Sequence, residues 1–196
     1  IILMGSFIVK FWFNSLIDKY LSNEAYLKFN ICYHSQIDIK QILPSLKFKF
    51  KTDGIDIIGL DISSKMIEIA KQLNPFIDFR VGDVFNLDFE DNSIAGIVAP
   101  YLIVNFKQSD IPKAFSEIYR VLIDKGQLLI SFHSGQQELE INDFFVKGNT
   151  IPYTYFNSDE IRDSLVDSGF KIIEYINRMP YEGEITKRTY IFSEKE

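Results

Sequence analysis

From position 54 onward the sequence alternates short apolar runs with amphipathic stretches, and near its end the alternation stops. Residues 55–60 are an apolar run rich in β-branched side chains, the pattern of a buried strand. Helical spacing follows, with Ser63 or Ser64 as cap, Met66, Ala70 and Leu73 on one face, and Pro75 as the stop. Residues 77–81 read as a second strand and 94–99 as a third, with a turn at Asp91-Asn92 between them. Asp110 is placed to cap an amphipathic helix with Pro112 in its first turn and Ile111, Phe115, Ile118 and Leu122 as its stripe. Asp124-Lys125-Gly126 closes that helix, and 127–132 is a fourth strand. Strands alternating with helices predict a mostly parallel sheet with right-handed crossovers.

The tail breaks the rule. Residues 157–168 read as a helix, with Asn157 and Glu160 spaced as a capping box and Gly169 as its C-terminal stop. Two strands follow, 170–177 and 187–193, and no helix fits between them. Such strands pair antiparallel or are not neighbours. The expected fold is therefore an α/β, Rossmann-like, mostly parallel sheet with an antiparallel last strand and helices on both faces.

The 196 residues suit one domain, with a core that buries roughly 70% of the unfolded surface. A formal charge of −6 and no dense basic block argue against nucleic acid as a partner. A lone Cys32 excludes an internal disulfide and fits a reducing, cytoplasmic setting. The apolar start, 1–9, is far short of the ~20 residues of a membrane span and lacks the basic flank of a signal peptide. It reads as a fragment end or as a packed apolar helix. Helical spacing at Ile8, Phe11, Trp12, Ser15 and Leu16 predicts helix over the first twenty residues, and Ile39, Ile42, Leu43 and Leu46 repeat it, with Pro44 ending or bending that helix. Residues 1–50 are thus a helical or irregular lead-in lying over the ligand edge, and 54–193 the core.

Ligands of open α/β sheets bind beyond the carboxyl ends of the strands. Asp61 ends the first core strand, where a carboxylate accepts from both hydroxyls of a ribose. Asp83 follows the second strand after Gly82, placed to take an exocyclic amine such as that of adenine, with the Val84 N–H for a ring nitrogen. The two acids are 22 positions apart, and one crossover brings their strand ends side by side, about 5 Å apart. The plainer reading makes Asp61 a helix cap and Asp83 a turn residue.

The stretch Ile57-Ile58-Gly59-Leu60-Asp61-Ile62-Ser63-Ser64-Lys65-Met66 resembles the second motif of class I S-adenosylmethionine-dependent methyltransferases. Gly82-Asp83-Val84 with Leu87, Phe89 and Ser93 resembles their adenine-binding segment, and Arg120-Val121-Leu122-Ile123-Asp124-Lys125-Gly126 their helix and turn before the fifth strand. The resemblance covers about residues 54–193. It implies a seven-stranded sheet with an inserted antiparallel last strand, S-adenosylmethionine as cofactor, and methyl transfer to a small-molecule acceptor. It also implies a donor site of Asp61, Ile62, Met66, Asp83, Val84 and Ala99. Tyr101 and His133, past the third and fourth strands, are candidates for the substrate side.

The family's glycine-rich first motif is missing or degenerate here: no glycine lies between Tyr26 and Asp53. Either the first strand and its loop are deleted, or Leu27, Phe29, Ile31 and Tyr33 form a substitute strand with His34-Ser35-Gln36 as its loop. Ala95 stands where an acid is usual in the family. A non-catalytic methyltransferase-like binding protein or truncated gene product is the second reading, and a nicotinamide-dependent oxidoreductase the third, disfavoured by the absence of Gly-x-Gly-x-x-Gly. Tyr181, Lys187 and Arg188 read as part of a substrate wall, and His34 as a further candidate. Asp88, Glu90 and Asp91 form a solvated acidic turn without a histidine to suggest metal.

Overall fold

The structure is a computed structural model that describes residues 2–5, 33–34, 56–135, 137–142, 150–180 and 186–196. Its strands are β1 (Ile2–Gly5), β2 (Tyr33–His34), β3 (Ile58–Asp61), β4 (Asp78–Val81), β5 (Ile94–Pro100) and β6 (Leu122–Ser134), followed by β7 (Gln137–Asn142), β8 (Thr150–Tyr155), β9 (Phe170–Arg178) and β10 (Lys187–Lys195). Its helices are α1 (Ser64–Leu73), α2 (Ile111–Val121) and α3 (Ser158–Asp167), with short 3-10 turns at Leu102–Asn105 and Gln108–Asp110.

The main sheet runs β4-β3-β1-β5-β6-β10-β9, with β2 beside β1. The pairs β3–β4, β1–β3, β1–β5 and β5–β6 are parallel. β10 lies antiparallel between β6 and β9. The missing helix between the last two strands thus had its expected consequence: a hairpin whose second strand inserts into the sheet. Strand order reverses at β1 and β5, because the chain passes from β1 to one side and later returns to β5 on the other. That reversal opens a crevice at the carboxyl edge.

Several local expectations are corrected. Residues 2–5 are strand rather than helix, and they hold the central place of the sheet, so the first strand is not deleted. Isolated four-residue segments have weak local preference, and pairing with β3 and β5 decides this one. Of the substitute strand at 27–33, Tyr33 lies in the two-residue strand Tyr33–His34 alongside β1, and Leu27, Phe29 and Ile31 lie outside the described residues. Ile8, Phe11, Trp12, Ser15, Leu16 and the helix proposed at 39–46 lie outside the described residues. The turn at 124–126 is absorbed into β6 as an irregularity, where the register against β5 jumps from Leu122 to Gln127 and Lys125 takes φ 64°. Residues 137–155 contain an unforeseen hairpin, β7–β8.

The caps are also specific. Ser63 Oγ accepts from the Met66 N–H at 3.4 Å, as expected. Asp110 has helical backbone angles and makes no side-chain cap bond to α2, because it belongs to the preceding 3-10 turn. Asn157 caps α3 through the Asp159 N–H at 2.9 Å. Glu160 accepts from Gln108 Nε2 instead of closing the box. Gly169 ends α3 at φ 97°, with Tyr119 Cε2 only 2.7 Å from where a Cβ would sit.

The core lies under β5, β6 and β10. Ile111, Ala114, Phe115, Ile118 and Val121 make the buried stripe of α2, and Phe79, Phe132 and Phe156 are nearly fully enclosed. Arg120, on the other side of α2, donates to Glu117, to Asp91 and to the Leu87 and Phe89 carbonyls. Glu117 Oε1 in turn accepts from the Leu87 N–H at 2.7 Å. The turn at 88–91 is therefore tied to α2, while Asp88, Glu90 and Asp91 are exposed, as expected of a solvated acidic turn.

Candidate donor site

The two carboxylates come together because their strands are neighbours. β3 and β4 pair with Asp61 level with Val81, and the Gly82 N–H donates to the Asp61 carbonyl at 3.0 Å. Asp61 is fully buried, and its Oδ1 accepts from the Ser63 N–H at 2.7 Å. Asp83 Oδ1 accepts from the Phe85 N–H at 2.9 Å. Each acid thus holds its own loop, as the plainer reading expects, and the second function is one of position. Both line one cavity of about 260 Å³, together with Ile62, Gly82 and Val84. Phe85, Leu102 and Phe106 add apolar wall, and Asn105 and Asp110 add polar groups.

Sequence reasoning missed the contribution of 102–110. Its signal was weak, because Asp110 looked like a cap and the 3-10 turns carry no periodic pattern. Tyr101 sets their course: it takes φ 54°, a left-handed backbone uncommon for a bulky residue, while its N–H donates to the Ser131 carbonyl at 2.7 Å. Met66 is half-buried on α1 and Ala99 fully buried in β5; neither is among the residues lining the cavity. Tyr101 and His133 stand together elsewhere, past β5 and at the end of β6, with ring centroids 4.8 Å apart. His133 Nδ1 lies 2.8 Å from Thr186 Oγ1.

The central strand β1 ends in a glycine, Gly5. β1 pairs Ile2 with Gly59 and Leu3 with Leu60, so the register continues to put Met4 level with Asp61 and Gly5 one residue beyond. A glycine therefore ends the central strand, at the mouth of the crevice. The chain directly after it lies outside the described residues, as do the side chain of His34 and all of Tyr181.

The donor set suits a nucleoside. Two carboxylates accept hydroxyl or amine hydrogens, and the Ile62, Val84, Phe85 and Leu102 side chains offer faces for a flat ring. Comparison with known proteins bears on the same residues. The family described as "Methyltransferase domain" matches residues 44–130, which include Asp61, Asp83 and α2. Over these residues the chain matches a class I S-adenosylmethionine-dependent methyltransferase domain. That family takes its methyl group from S-adenosylmethionine.

The methyltransferase relatives agree. The chain is 43% identical over 82 residues to demethylmenaquinone methyltransferase of Thermotoga maritima, which covers 42% of this chain and 35% of that protein. It is 30% identical over 139 residues to phosphoethanolamine N-methyltransferase 2 of Caenorhabditis elegans, covering 67% of this chain and 31% of that protein. The match thus spans about a third of the length of each of these relatives. A crystal structure of a SAM-dependent methyltransferase from Methanosarcina mazei superposes with TM-score 0.74 at 18% identity, over 92% of this chain and 96% of that one, and shows the shared fold. Among the described residues, no three or more His, Cys, Asp or Glu gather closely enough to hold a metal ion, and no helix is long and apolar enough to cross a membrane.

Proposed function

We propose that the chain transfers the methyl group of S-adenosylmethionine to a small-molecule acceptor. The observation that carries this is the shared cavity of Asp61 and Asp83 at the ends of adjacent parallel strands. In this reading Asp61 holds the ribose diol. Asp83 and the Val84 N–H read the edge of the adenine, and Ile62 covers the sugar and base. The donor carries its own driving force in the sulfonium, so the protein's task is alignment. The end of β5, from Ala99 to Tyr101, faces the reacting centre, and His133 and Tyr101 bound its acceptor side. A buried carboxylate already fixed by the Ser63 N–H is pre-organised, and little further ordering is needed on binding.

Calorimetric titration with S-adenosylmethionine and S-adenosylhomocysteine tests the proposal. Both are expected to bind, and Asp61→Ala is expected to weaken them at least ~10-fold, worth about 1.4 kcal/mol. Absence of binding by the unaltered chain overturns the reading. Unchanged affinity in Asp61→Ala removes the ribose contact.

A further inference from the structure

A second and larger cavity, about 580 Å³, opens at the same edge of the sheet. It lies where β6 ends, β10 begins and β9 runs out, and its walls include Ser134, Ser158, Asn177, Thr186 and Lys187. Its size falls within the ~300–1,000 Å³ of small-molecule sites. Its chemistry is opposite to that of the donor cavity. The first has three carboxylates, Asp61, Asp83 and Asp110, on its wall. The second has hydroxyls, amides and one ammonium, and no acid among its described lining residues.

Its position is equally informative. Counting along the sheet, β3 and β6 are separated by β1 and β5, three strand steps or roughly 14 Å. The two cavities therefore flank the strand reversal, with the ends of β1 and β5 between them. Thr186 connects the second cavity to that midpoint. It lines the cavity, and its hydroxyl meets His133 Nδ1, whose ring lies 4.8 Å from Tyr101 at the end of β5. Behind the rim, Arg188 is 8% exposed and donates to both the carbonyl and the hydroxyl of Thr186, which fixes Thr186 at the cavity wall. Tyr155, Met179 and Pro180 supply an apolar side.

We propose that this second cavity holds the methyl acceptor by an anionic group, a carboxylate or a phosphate, with the Lys187 ammonium as its counter-charge. The inference rests on the methyl-transfer reading for its purpose and on the cavity's own residues for its chemistry. An acceptor gripped here by its charged end presents its other end toward Tyr101 and the donor.

The test uses the whole chain and small probes: phenyl phosphate, benzoate and neutral benzyl alcohol, each titrated with and without saturating S-adenosylhomocysteine. The anions are expected to bind at least 5-fold tighter than the alcohol and alongside S-adenosylhomocysteine. Lys187→Ala is expected to abolish that preference, and Lys187→Arg to restore it within 2-fold. Phenyl phosphate against benzoate decides between the two anion classes. Competition with S-adenosylhomocysteine, equal affinity for the alcohol, or insensitivity to Lys187→Ala overturns the proposal. If S-adenosylhomocysteine fails to bind while the Lys187-dependent preference persists, the methyl-transfer reading fails and the anion site stands.

Discussion

Gly169 shows how much one residue can decide. Its φ of 97° lies where a side chain is strained, and Tyr119 Cε2 is 2.7 Å from the place of a Cβ. Gly169→Ala is expected to cost about 1–3 kcal/mol, because the left-handed backbone and the blocked space add together. Urea denaturation checks it; a loss under ~0.5 kcal/mol would mean that the turn relaxes. Asp61 and Asp83 make the contrasting case. Each already serves its loop through a backbone N–H, so a purely structural role and a ligand role predict different outcomes. Asp83→Asn keeps an acceptor oxygen for the Phe85 N–H. It is therefore expected to leave stability within ~0.5 kcal/mol while weakening S-adenosylhomocysteine several-fold. Equal affinity in the variant would leave Asp83 as a turn residue.

Among the elements, α2 does two jobs. Its buried stripe anchors the sheet, and Phe115→Ala is expected to cost about 3–5 kcal/mol. Its polar side holds the loop between β4 and β5 through Arg120 and Glu117. The Arg120 guanidinium, with help from the Leu87 N–H, keeps the Glu117 carboxyl below its ordinary range against the opposing effect of burial. Glu117 and Asp91 hold Arg120 above its own. A carboxylate with a depressed folded value stabilises the protein fully above its unfolded value, ~4.3, and loses that contribution as pH falls through the folded value. Glu117→Ala is therefore expected to cost about 1–3 kcal/mol at pH 7 and progressively less below pH ~4. Thermal melts of both proteins from pH 7 to 3 follow the gap. A constant gap would mean that the ion pair contributes nothing specific.

Across the whole molecule, ligand and fold are linked through the sheet edge. The donor cavity draws on the ends of β3 and β4 and on the 3-10 turns after β5, elements that are separate in sequence. A ligand that binds only the folded chain adds stability by mass action, about 2.7 kcal/mol at 100 times its Kd. S-adenosylhomocysteine at that excess is expected to raise the melting temperature by several degrees in the unaltered chain and by less in Asp61→Ala at equal concentration. An identical rise in both would separate the stabilisation from Asp61.

The alternation of apolar runs with amphipathic stretches was enough to establish the α/β class. The absent crossover helix was enough to predict the antiparallel pair at the end. Both follow from local periodicity and chain reach, which each segment carries by itself. The acids at 61 and 83 were legible for the same reason, since a strand end is marked by where its apolar run stops. Tertiary structure alone decided that Ile2–Gly5 fills the centre of the sheet, that Asp110 turns from cap to cavity wall, and that Lys187 and Ser134 share a second cavity. Those outcomes depend on pairing between residues far apart in the chain. Four residues carry too little local preference to announce such pairing, and only the neighbours they meet make it favourable.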